Sequence, residues 1–161
     1  MTSIRLLIAF LLVLIAASYS LAGGEADIAG WYLNKGDVYS TVHVTVEGDD
    51  VTVALSGGHV GNGPKTMISG DCDVGGVGKL SGMKLIADFP PTDMGDQGAV
   101  SMTFGDNQLT VHQADVFHYC GVYTRFYGVY QKYSCPELKK IFHRDLSHYR
   151  EHPEDLENLC Q

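Results

Sequence analysis

From Val38 to Glu47 the chain alternates strictly. Val38, Ser40, Val42, Val44 and Val46 fall on one side, and Tyr39, Thr41, His43, Thr45 and Glu47 on the other. Only an extended strand sends successive side chains to opposite faces, so the valines form a face that must be buried. Gly48-Asp49-Asp50 makes a turn, and Val51, Val53 and Leu55 resume the apolar face, which predicts a hairpin. The unit recurs: Val100, Met102 and Phe104 alternate, Gly105-Asp106-Asn107 turns, and Leu109 and Val111 return. Two further strand candidates lie between, over 65–74 and 79–89, the second with Met83, Leu85, Ala87 and Phe89 on one face. A last candidate, Val122 to Tyr133, is apolar or aromatic on both faces, as suits a strand that closes a sheet. The pattern predicts a mainly β fold: a small antiparallel barrel or sandwich of about seven or eight strands, occupying residues 23–133.

The period changes after Tyr133. Ser134 is a helix cap, Pro136 fits the first turn, and Glu137 completes a capping box. Leu138, Ile141, Phe142, Leu146 and Tyr149 then share a helical stripe. Pro153 stops that helix near Glu151, and Pro153-Glu154-Asp155 starts a short one. Residues 134–161 are therefore predicted to be a helical tail.

At the N-terminus one base, Arg5, precedes an uncharged apolar run from Leu6 to Ala17, followed by Ser20-Leu21-Ala22. The run is too short for a membrane span of ~18 residues. Its three-part shape predicts a signal peptide over residues 1–22, a mature chain from Gly23 with no transmembrane span, and a periplasmic or secreted location. The four cysteines, Cys72, Cys120, Cys135 and Cys160, all lie beyond it. In an exported chain they read as two disulfides, with three possible pairings. Cys72 and Cys120 both fall in or beside strands, and Cys135 and Cys160 bracket the tail, so Cys72–Cys120 and Cys135–Cys160 are the expected pairs. Acids outnumber bases 19 to 11, and the net charge of −8 argues against nucleic acid as a partner.

Candidate chemistry is sparse. His148 and His152 are four apart and could share a metal, but no H-E-x-x-H pattern accompanies them, so no metal site is assigned. Asp71 and Asp73 share a face, and with Cys72 turned into a disulfide they read as solvated acids. Asp93, Asp96 and Asp106 sit beside glycines as turn residues. His112 or His118 with a nearby acid is the best hydrolase reading, yet nothing orders them into a triad. No serine elbow, phosphate loop or dinucleotide fingerprint occurs. The expectation is a non-enzyme without cofactor. The glycine-rich stretch from Ser56 to Lys65 stands out instead as a recognition loop. Ser56, Gly57, His59, Asn62 and Lys65 are its candidate contact residues, and Pro90 to Gln97 is a second loop of the same kind.

The run Tyr119-Cys120-Gly121-Val122-Tyr123-Thr124-Arg125-Phe126-Tyr127-Gly128-Val129-Tyr130-Gln131-Lys132 resembles the closing strand of small secreted bacterial β proteins. Asp71-Cys72-Asp73 and the glycine-rich strands after it fit the same layout. Over about residues 66–132 the chain is similar to periplasmic lysozyme inhibitors. Their inhibitory loop carries Ser-Gly-x-x-Tyr. Here Ser56-Gly57 begins the motif, and Val60 stands where Tyr belongs. The resemblance implies an exported protein that inhibits or neutralises another protein, such as a cell-wall hydrolase or a rival's toxin. Long-range charge would steer such an acidic chain toward a basic partner. Gly30-Trp31 in the first strand carries a looser likeness to lipocalins, whose form is Gly-x-Trp. The alternative is accordingly a barrel that holds a small apolar ligand.

Overall fold

A computed structural model of the chain describes residues 28–36, 39–57, 72–120 and 124–160. The expected signal peptide lies outside the described residues. Eight strands run antiparallel: β1 (Gly30–Lys35), β2 (Tyr39–Glu47), β3 (Asp50–Gly57), β4 (Cys72–Ser81), β5 (Lys84–Asp88), β6 (Ala99–Gly105), β7 (Gln108–Ala114) and β8 (Gly128–Tyr133). Each pairs with the next in sequence. β1 also pairs with β8, with Trp31 opposite Tyr133 and Leu33 opposite Gln131. The sheet is thus a closed barrel rather than a sandwich. Closure removes the exposed edges that an open sheet presents to other chains.

The alternation in the sequence becomes the two sides of the wall. Tyr32, Val42, Leu55 and Val74 lie side by side across four strands and point inward. Leu85, Met102, Phe104, Leu109, Val111 and Tyr130, each 3% exposed or less, complete the interior. Eight strands leave just enough room for side chains to fill the barrel. Buried hydroxyls inside it are paired, among them that of Tyr32, which donates to the Ile28 carbonyl at 2.8 Å. The Tyr130 hydroxyl donates to the Phe126 carbonyl at 2.7 Å, so the Ser40 hydroxyl, 2.9 Å away, donates to Tyr130. Burial pushes the Tyr130 phenol up to about 12.

Three expectations need correction. Residues 72–74, the end of the candidate over 65–74, and the glycine-rich 75–78, expected between strands, are together part of the long β4. A turn at Gly82-Met83 then separates β4 from β5, which splits the expected strand over 79–89. Met83 is therefore exposed instead of inward. The closing strand begins at Gly128, not Val122. Before it, Phe117–Cys120 form a short helix, α1, and Phe126 plugs the barrel end at 1% exposure. Gly128 adopts φ 133°, which side chains rarely tolerate, and so turns the chain from the plug into the strand.

The tail starts as expected. In α2 (Cys135–Asp145) the Ser134 N–H and hydroxyl donate to the Glu137 carboxylate at 2.9 and 2.6 Å. These bonds hold the Glu137 carboxyl below its ordinary range. The single helix expected to reach Glu151 breaks at Leu146, which is extended (φ −110°, ψ 122°), and resumes as α3 (Ser147–Glu151). The break buries Leu146 to 2% and brings Tyr149 onto the Phe142 ring, with centroids 5.3 Å apart. Arg150 donates to the Arg144 carbonyl at 2.9 Å, satisfying an acceptor that the interrupted helix leaves open. A last turn, α4 (Asp155–Asn158), leads to Cys160. The bridges are Cys72–Cys120 and Cys135–Cys160, with Cα atoms 5.2 and 6.2 Å apart. The first ties α1 to the start of β4. The second clasps the tail.

Candidate functional site: a groove between barrel wall and tail

The outer faces of β1 and β2 are not simply solvated. Leu33 points outward yet is 1% exposed, because Leu138, Ile141, Phe142 and Leu146 of the tail pack on it. Thr41, opposite Leu33, is covered too. The tail thereby builds a second apolar cluster outside the barrel, joined by Trp31, Tyr39, Tyr133, Tyr149, Leu156 and Leu159.

One polar contact anchors this roof. The Tyr39 hydroxyl donates to the Asp145 carboxylate at 2.8 Å, and Arg144 donates to the same carboxylate at 2.5 and 2.8 Å. The Arg144 bonds, then the Tyr39 bond, lower the Asp145 carboxyl to about 2 despite its partial burial. A carboxylate depressed by folding stabilises the fold above its unfolded value near 3.8 and loses that contribution as pH falls toward 2. With screening at this partly open site the expected loss is ~1 kcal/mol. Asp145→Asn should make the acid limb between pH 4 and 2 of the stability profile in urea shallower by about that amount. An unchanged limb would assign it to other acids.

Where the roof lifts from the wall it leaves a groove of about 780 Å³. Trp31, Thr41, Ala54, Ser56, Gly57 and Asp73 line the wall side, and Phe142, Leu146, His148, Tyr149, Glu151 and Leu159 the tail side. Register explains the wall. Leu33, Thr41, Ser56 and Asp73 form one outward row across β1 to β4, and Trp31, His43 and Ala54 form the next. The Trp31 and His43 rings stack 4.1 Å apart and nearly parallel. Burial pushes the His43 imidazole below its ordinary value, so it is neutral near pH 7. The Ser56 hydroxyl donates to the Asp73 carboxylate and fixes it at the open end.

Of the expected contact residues, Ser56 and Gly57 lie on this groove. His59, Asn62 and Lys65 lie outside the described residues, as does Asp71. Asp73 is exposed as expected, but it belongs to the groove. The Pro90–Gln97 loop sits elsewhere and is held by Thr92, whose hydroxyl accepts the Asp96 N–H at 3.1 Å, and by Tyr119, which donates to the Pro90 carbonyl at 2.8 Å. His118 is 3.4 Å from Asp96 there, while His112 is bonded to Thr103 at 2.8 Å. His148 and His152 pair with Asp155 and Glu154, at 2.7 and 3.5 Å. Among the described residues no cluster of three or more metal-ligating side chains occurs.

Fold and groove together define a class: a closed eight-stranded antiparallel barrel that carries a disulfide-clasped helical tail across its outer wall. Comparison with family models, curated proteins and solved structures found no match.

Proposed function

We propose that this chain is an exported binding protein that inhibits or neutralises another protein, a cell-wall hydrolase or a toxin delivered by a rival cell. The observation that carries the reading is the groove beside Ser56 and Gly57, an open concave face at the point where β3 ends and β4 begins. Two disulfides suit an oxidising compartment. The acidic chain suits a basic partner, whose approach its field would accelerate. The contact extends from Ser56 and Gly57 through His59 and Asn62 to Lys65.

The test uses the chain from Gly23 onward, added to a basic lysozyme digesting a peptidoglycan suspension. Stoichiometric inhibition that weakens with salt is expected. Deleting Gly58 to Gly63 should raise the inhibition constant tenfold or more and leave the melting temperature nearly unchanged, since shortening a loop alters closure entropy little. Lys65→Ala should weaken inhibition less. Equal inhibition by the deleted form would move the contact to the Pro90–Gln97 loop or the tail. Absence of any hydrolase or toxin partner would overturn the reading.

The second reading, a carrier of a small apolar ligand, draws on barrel closure, since closed eight-stranded barrels include ligand carriers. The filled interior around Tyr32, Met102, Phe104 and Tyr130 weighs against it. Co-purification of an apolar molecule would favour it.

A further inference from the structure

The lining of the groove has a chemical bias. Two carboxylates, Asp73 on the wall and Glu151 on the tail, face the same space, and among the described residues no lysine or arginine lines it. Asp73 is oriented by the Ser56 hydroxyl, which occupies one of its oxygens and leaves acceptor capacity on the carboxylate. Among the described residues no cation pairs with Asp73 or Glu151. Aromatic faces stand nearby. Trp31 is backed by His43, and Tyr149 by Phe142, so both rings are braced against rotation. Acids beside braced aromatic rings match a planar or ammonium cation on an apolar stem, which takes a charge-assisted hydrogen bond at one end and ring contact at the other.

We propose that the groove is a cation-recognition site that takes an arginine or lysine side chain of the partner protein. This rests on the binding-protein reading and names the group on the partner that is recognised. An open groove of about 780 Å³ admits a side chain with part of its flanking backbone, and the acidic chain attracts partners that present such groups. The His43 imidazole, neutral near pH 7, adds no opposing charge to the wall. On the tail side the His148 ring is held at 2.7 Å by the Asp155 carboxylate.

Trp31 is the only tryptophan of the chain, so its fluorescence reports on this groove alone. The probes are benzamidinium, an aromatic cation, and benzamide, its neutral analogue. Benzamidinium should change Trp31 emission saturably, at least tenfold more tightly than benzamide and less tightly in high salt. Asp73→Asn and Glu151→Gln should each weaken it several-fold. Asp50→Asn, in a distant exposed pair with Lys79, should leave it unchanged. Equal affinity for benzamide, or no effect of Asp73→Asn, overturns the proposal. A second arm separates a partner side chain from a free small cation: saturating benzamidinium should relieve lysozyme inhibition competitively. Tight binding without relief overturns the side-chain assignment. Inhibition that survives while benzamidinium fails to bind removes the cation site and leaves the binding-protein reading standing. Benzamidinium binding without inhibition of any hydrolase removes that reading, and the side-chain assignment with it.

Discussion

Gly78→Ala is expected to destabilise the barrel by ~3 kcal/mol and lower its melting temperature by ~10 °C. Gly78 pairs with Ala87 in the β4–β5 ladder. A Cβ built on it would lie 2.0 Å from the Ile86 carbonyl oxygen and 2.9 Å from the Ala87 Cα. Both are backbone atoms in the paired strand, so no rotamer change relieves the clash. Either the ladder opens or the strands separate. The neighbour supplies the control. At Gly75 the nearest atom to an added Cβ is the Val53 carbonyl oxygen, at 3.6 Å, an ordinary contact. Gly75→Ala should therefore be neutral, or stabilising by a few tenths of a kcal/mol through the entropy of the unfolded chain. Thermal unfolding of the two variants is the measurement. Equal losses would mean that glycine content, not close strand approach, sets the requirement.

The same glycines explain what sequence could and could not reveal. β2, β3, β6 and β7 were legible because their buried positions are large and alternate with polar ones. β4 was obscure because Gly75, Gly76 and Gly78 erase the alternation, the last two where the strand must approach β5 closely. Composition there resembles a loop, and only the paired neighbour shows otherwise. The cap of α2 was readable from Ser134 and Glu137, two residues in local contact. The break at Leu146 was not, because Leu146 continues the apolar stripe whether or not the helix does. It is set by what lies beneath, namely Leu33 and Tyr39, far away in sequence.

The candidate site divides along the same line. Ser56 and Gly57 were found from glycine richness and chain position. Glu151 was not, and Trp31, Asp73 and Tyr149 stood out only for other reasons, because nothing local joins them until the tail folds back. A signal was nevertheless present. Leu33 and Tyr39 occupy the outward face beside Thr41, and the tail carries an apolar stripe too short to be stable alone. An unpaired apolar stripe and an outward leucine need each other.

Replacing Cys135 and Cys160 by alanine is the second change expected to act strongly, with the loss centred on the tail. The bridge closes a span of 25 residues, for which loop-closure entropy gives ~3 kcal/mol. α3 and α4 have five and four residues, far below the length at which a helix persists by itself. Apart from the partly buried Tyr149, Leu156 and Leu159 at the edge of the cluster, they are held by exposed polar contacts such as His148 with Asp155 at 2.7 Å and Lys139 on the Glu157 carbonyl at 3.2 Å. Such contacts contribute little in water. The expected result is partial release. α2 stays docked through Leu138, Ile141 and Phe142, while residues 147–160 lose amide-exchange protection and the barrel strands keep theirs. Trp31, which lies under the released segment, should shift its emission to the red. The benzamidinium affinity of the groove should fall tenfold or more although Asp73 and its Ser56 bond are untouched, because Tyr149 and Glu151 leave with the tail. Full exchange protection at 147–160 in the variant would show that packing alone holds the tail. Loss of protection in β1 and β2 as well would make the tail part of the barrel's own stability rather than a roof laid across it.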